Sequence, residues 1–325
     1  ALPISGRGEH VHVGSWSVAG AQPLSLRYLA AGAACIAANF GCRPTFALSA
    51  LLCFPIFWPQ ITSLLQGLKS RSLPPRRALR APAAVIIPAL IVVLPLMAYN
   101  VARFGSPLDF GNDYQMTVTD MTRFVQPTAN FLPSVGAYLF LPLRFTSEFP
   151  FIGMTPIAFR EWGYYELMAG GLFATCPLLL LALAAPFLRR RMHRSGYWGL
   201  ATCSLALAVL LAVFDSHTAG LGWRYICDFG WMMAIAALAP MLYLMHPGGD
   251  AIAAGAPDPS ERNEPRRDVT KRHPMVLACV RGLVVAVLMA SIILAVLACF
   301  IPGRDDSLIN NNPVLYDTVV AWFRL

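Results

Sequence analysis

Apolar residues run in blocks along this chain, separated by shorter stretches rich in glycine, proline and arginine. Seven blocks reach or approach the ~20 residues that a helix needs to cross a ~30 Å hydrocarbon layer. They cover residues 24–41, 45–66, 82–102, 166–188, 196–214, 223–246 and 275–300. The period-two alternation of a membrane β-barrel is absent, so the pattern predicts an all-α fold, a polytopic transmembrane bundle of about seven spans. The first two blocks are short and predict a hairpin, with Gly41 and Pro44 of "NFGCRPT" (Asn39 to Thr45) breaking the helix between them.

The same pattern divides the chain into a polar leader over 1–23, a helical bundle over 24–246 interrupted by 103–165, a linker over 247–274, and a last span with tail over 275–325. The linker is rich in Pro, Gly and Ala, its five basic and five acidic residues cancel, and it reads as a flexible cytoplasmic segment. Within 103–165, "LPSVGAYLFLPLRF" (Leu132 to Phe145) is apolar but too short to span, which predicts a short interfacial or re-entrant helix. The tail from Asn311 to Leu325 predicts a short amphipathic helix.

With 57% hydrophobic and 13% charged residues, the chain is too apolar for an ordinary soluble domain of 325 residues. Its net charge of +8 collects in short clusters between apolar blocks, so membrane lipids are expected partners and nucleic acid is not. "KSRSLPPRRALR" (Lys69 to Arg80) has five basic residues and no acid, and "RRRMHR" (Arg189 to Arg194) is equally one-sided. Positive charge marks the cytoplasmic side. The expected topology in the cytoplasmic membrane therefore has the N-terminus inside, and residues 103–165 and the C-terminal tail outside. The eight cysteines form no CxxC pair and read as small buried apolar residues, while His10 and His12 in the leader read as solvated.

Four groups of charge fall on the outer side of this topology: Arg43; Arg103 with Asp109 and Asp113; Arg144 with Glu148; and Arg224 with Asp228. Arginine presents a planar fork of donors suited to phosphate or carboxylate. The alternatives stand beside that reading: Arg224 and Asp228 are spaced to pair with each other on one helix, and Arg103 is placed to snorkel to lipid phosphates. Tyr114, Tyr164 and Tyr165 read equally as interfacial anchors or as sugar contacts. Walker, dinucleotide-fingerprint, GxSxG and HExxH motifs are absent, which leaves nucleotide-driven transport and the familiar hydrolases without support.

Taken in order, "GCRPTFALSALL", "YNVARFGSPLDFGNDYQ", "ELMAGGLFATCPLLLLAL" and "WRYICDF" resemble the later part of bacterial GT-C-type polytopic glycosyltransferases, over roughly residues 24–246. The resemblance implies transfer of a sugar from a polyprenyl-phosphate donor to a glycan, lipid or protein acceptor of the cell envelope, at the outer membrane face. In such an enzyme Arg103, Arg144 and Arg224 are the residues expected to contact the phosphate, with Tyr225 beside Arg224, and a divalent metal ion is one means of stabilising the leaving phosphate. Asp109 and Asp113 are the candidate carboxylates within the chain. The family's principal carboxylate lies in an early external loop, and the chain is expected to be a C-terminal portion lacking it. A transporter or flippase for lipid-linked saccharides, or an accessory membrane subunit, is the competing expectation.

Overall fold

The computed structural model describes residues 11–13, 16–18, 25–71, 74–111, 114, 120, 123–189, 197–245, 274–303 and 307–323. The chain is mostly helical and divides into two compact units, Ala1–Phe124 and Val125–Leu325. Among the described residues four helices are long and apolar enough to cross a membrane: Arg80–Phe104, Tyr197–Thr218, Trp223–Met245 and Ala278–Ala298, with a bent pair as a fifth. The remaining expected spans are helical but short or broken, each for a local reason.

In the first unit, β1 (Val11–Val13) and β2 (Trp16–Val18) form an antiparallel pair. Helix α1 (Leu26–Cys42) packs along a later helix, α5 (Arg80–Phe104). Gly41 does not end α1, contrary to expectation. It lies in the last turn, where Leu96 presses so close that a Cβ would stand 2.9 Å from its Cδ1. The helix stops at Arg43, whose backbone is extended (φ −150°), the conformation imposed on a residue preceding proline. The block 45–66 becomes a 3₁₀ segment (Pro44–Leu52), α2 (Cys53–Ile56) and α3 (Trp58–Lys69), with a 67° bend between α2 and α3. Pro55 and Pro59 flank the bend; each removes a helical N–H, and the Pro59 ring obstructs the preceding turn. After α4 (Pro75–Ala78), α5 carries Pro88 and Pro95 in its interior. None of its most apolar stretch is buried within the protein.

In the second unit, the elements are α6 (Phe131–Phe140), strands β3 (Arg144–Phe145) and β4 (Ile152–Gly153), α7 (Leu172–Thr175), a 3₁₀ segment (Pro177–Leu188), α8 (Tyr197–Thr218), α9 (Ile226–Met245), α10 (Pro274–Ala298), α11 (Leu308–Asn311) and α12 (Pro313–Phe323). Helix α9 packs on both α8 and the Pro177–Leu188 segment. Ala182, Ala185, Ala201, Ala208, Ala212 and Ala236 are fully buried, small side chains that let helical backbones approach closely.

The block 166–188 is no single helix. Gly171 donates its N–H to Leu141 O (2.8 Å), and a Cβ there would meet Leu141 N, Ala137 O and Phe140 N at 2.6–2.7 Å. The chain thus lies extended against the end of α6, and Pro177 starts a new helical segment. That start leaves amide groups without helical acceptors. Ser291 of α10 supplies one: its hydroxyl accepts the Leu178 N–H (3.1 Å) and donates to Val287 O (2.9 Å).

The apolar segment expected at 132–145 appears as α6, whose Ser134 and Tyr138 are fully buried and which packs on α7 and α8. The expected tail helix appears as α12. Residues 246–273, nearly all of the expected linker, lie outside the described residues.

Candidate functional site

The turn between α8 and α9 is built by backbone and side-chain contacts that fit closely together. The N–H groups of Ala219 and Gly220 both reach Asp215 O (2.9 and 3.0 Å) and close the end of α8. Gly220 has φ +85°, and a Cβ there would lie 2.4 Å from Tyr164 O, so this position requires glycine. The following residue pairs with the segment before α7: Glu166 N–H donates to Leu221 O (2.7 Å) and Leu221 N–H to Tyr164 O (3.2 Å). Beneath the turn, the buried Tyr138 hydroxyl donates to Gly220 O and accepts the Gly222 N–H, both at 2.9 Å. Its ring meets Phe229 edge to face, with centroids 5.5 Å apart. Burial pushes the Tyr138 phenol well above its ordinary pKa, so it stays a hydroxyl able to donate and accept.

This pairing brings together side chains that are distant in sequence. Tyr164 donates its hydroxyl proton to Glu166 Oε1. Arg224 Nη2 donates to the Tyr164 hydroxyl (3.1 Å), and Arg224 Nε lies 3.5 Å from Glu166 Oε1. The Tyr225 ring lies against the same guanidinium, 5.3 Å from its centroid. Burial, then the hydrogen bond to Glu166, push the Tyr164 phenol up to about 12, against the pull of Arg224. The Arg224 and Glu166 side chains are 62% and 31% exposed, so their ion pair is screened and contributes on the order of 0–1 kcal/mol. Its effect is orientation: the guanidinium is fixed at one end of the bundle and still reachable from outside. Gln126 supports the arrangement from below, its Oε1 accepting the Tyr164 N–H (3.2 Å), while its Nε2 is buried without a partner.

The other expected site residues make local contacts of their own. Arg103 and Asp109 belong to the first unit. Arg103 Nη1 donates to the Tyr99 hydroxyl one turn back on α5 (2.8 Å), and its guanidinium covers the Phe104 ring. Asp109 Oδ1 accepts the Gly111 N–H (2.8 Å), closing its own turn. Asp113 lies outside the described residues. Arg144 is exposed on β3 opposite Gly153. Asp228 is 3% exposed while Arg224 stays open, because Arg224 belongs to a 3₁₀ turn (Trp223–Tyr225) before α9 begins. In the sequence Glu166 shows only as a lone carboxylate opening an apolar block, much as Arg224 opens another.

A divalent metal does not fit this cluster. Glu166 faces a guanidinium, and among the described residues no three His, Cys, Asp or Glu side chains gather as ligands. The chemistry available is that of an arginine fork, a carboxylate and a protonated phenol, suited to an anionic group beside a hydroxyl-bearing one. No family model, curated protein or solved structure matches this chain.

Proposed function

We propose that the chain is an integral membrane glycosyltransferase, or a portion of one, that receives the phosphate of a polyprenyl-phosphate sugar at Arg224. The observation that carries this reading is the Tyr164–Glu166–Arg224 cluster. A guanidinium held by two neighbours keeps an open face, and a carboxylate and a phenol lie within reach of it. Arg224 binds the phosphate as charge develops on it during departure of the sugar, Glu166 accepts a hydrogen bond from a sugar hydroxyl, and the Tyr225 ring backs one side of the guanidinium. The base that activates the acceptor hydroxyl is assigned to no residue of this cluster.

The basic cluster at Arg189–Arg194 follows the Pro177–Leu188 segment and precedes α8. It supports a cytoplasmic start for α8, hence an external turn at 219–222, with α6 and α12 at the outer surface. In this reading about seven segments enter the bilayer, those of 24–41, 45–66 and 166–188 as short or broken helices.

The test uses purified full chain in detergent with radiolabelled polyprenyl-phosphate sugars. Arg224→Ala should weaken donor binding at least tenfold while leaving membrane insertion unchanged, and Arg224→Lys should only partly restore it. Unchanged donor binding in Arg224→Ala sinks the assignment. A carrier reading is favoured by one observation: Asp215 and Asp228, at the ends of two candidate spans, are 4% and 3% exposed, and acids buried in spans serve translocation elsewhere. Movement of the intact lipid-linked sugar across proteoliposomes without sugar release would select that reading.

A further inference from the structure

A cavity of about 440 Å³ opens at the end of α10, where Trp223, Ala298, Ile301 and Leu308 form apolar walls. Its size falls in the range of about 300–1,000 Å³ typical of small-ligand sites. Three features define what it would hold. No charged side chain of the described residues lines it. Ser307, 5% exposed, lines it, and its Oγ is buried without a hydrogen-bond partner. Finally, it sits where a candidate span ends, the depth at which a bilayer passes from hydrocarbon to ester groups. A buried hydroxyl without a partner is costly and marks a place where an acceptor or donor is missing. A neutral acceptor on an apolar chain meets all three features.

We propose that this cavity binds a membrane acyl chain at its ester end, with the ester carbonyl accepting a hydrogen bond from the Ser307 hydroxyl. The occupant is a structural lipid, distinct from the ligand of the Arg224 cluster, and the inference stands whether or not that cluster transfers sugars.

Cys299 lines the cavity and is exposed, so occupancy is readable as protection of its thiol. The full chain, purified and stripped of lipid, is alkylated with N-ethylmaleimide in the presence of methyl palmitate, hexadecane or farnesyl phosphate, and labelling is read by peptide mass. Cys279, exposed near the other end of α10, reports general access. Methyl palmitate should protect Cys299 but not Cys279, at concentrations roughly 3- to 10-fold lower than hexadecane, the span expected for one net hydrogen bond. Ser307→Ala, which leaves the walls intact, should erase that difference, and Ala298→Phe should abolish protection by both. Equal protection by hexadecane and methyl palmitate, an unaltered preference in Ser307→Ala, strongest protection by farnesyl phosphate, or no protection by any probe would each overturn the proposal.

Discussion

Removing one oxygen from the protein tests how the site is held. Tyr138→Phe keeps the ring against Phe229 and deletes only the hydroxyl that bonds Gly220 O and the Gly222 N–H. Both backbone groups would then be stranded next to a fully buried side chain. An orphaned buried polar group costs about 1–3 kcal/mol, so two cost about 2–5 kcal/mol once partial relaxation is allowed. For a unit the size of Val125–Leu325 each kcal/mol lowers Tm by about 2–4 °C, which predicts a fall of at least about 4 °C. The assay is a thermal melt of detergent-purified protein at a fixed scan rate. Tyr114→Phe, at a 64% exposed tyrosine, serves as the control and should change little. Donor binding should fall along with Tm, because the turn that carries Arg224 loses its anchor. A Tm within a degree of wild type would refute the claim that this hydroxyl organises the turn.

Three further outcomes are expected. Gly220→Ala forces a left-handed backbone and a 2.4 Å approach to Tyr164 O and should destabilise by about 2 kcal/mol or more, whereas Gly136→Ala, in a helix with nothing within 4 Å of the added methyl, should stabilise by about 0.5–1 kcal/mol; paired melts check both signs. The Tyr164 phenol, raised to about 12, favours the folded state fully below its unfolded pKa near 10 and loses that contribution as pH rises from about 10 towards 12. Ultraviolet titration should therefore show a late-ionising phenol that disappears in Tyr164→Phe, and a phenol ionising near 10 instead would contradict the cluster. Phe323 of α12 stacks on Phe149 at 4.4 Å, so Phe323→Ala should cost about 0.5–1.5 kcal/mol of docking and speed proteolysis within 308–323; an unchanged cleavage rate would count against that anchor.

The apolar blocks made the helical class and the long spans legible, because length and hydropathy are local properties. What broke the remaining spans was local chemistry in a distant context. Gly171 reads in sequence as one small residue in an apolar run, yet it is where the chain meets the backbone end of α6. Pro55 and Pro59 were visible but were absorbed into a single span. Arg224 was legible as a candidate from its place at the end of a block. Its neighbour was not: Glu166 lies 58 positions earlier and reaches Arg224 only through the pairing of 164–166 with 221, beneath which Tyr138 sits. The spacing of Arg224 and Asp228 suggested an alternative pair on one helix, but the change from 3₁₀ to α geometry leaves one exposed and the other buried.

The bond from Leu178 N–H to the Ser291 hydroxyl joins residues 113 positions apart. Because the Pro177–Leu188 segment precedes α10 in the chain, the acceptor that the folded protein gives this amide is the last of the two to be synthesised. A chain cut short before residue 291 would lack the hydroxyl that accepts the Leu178 N–H.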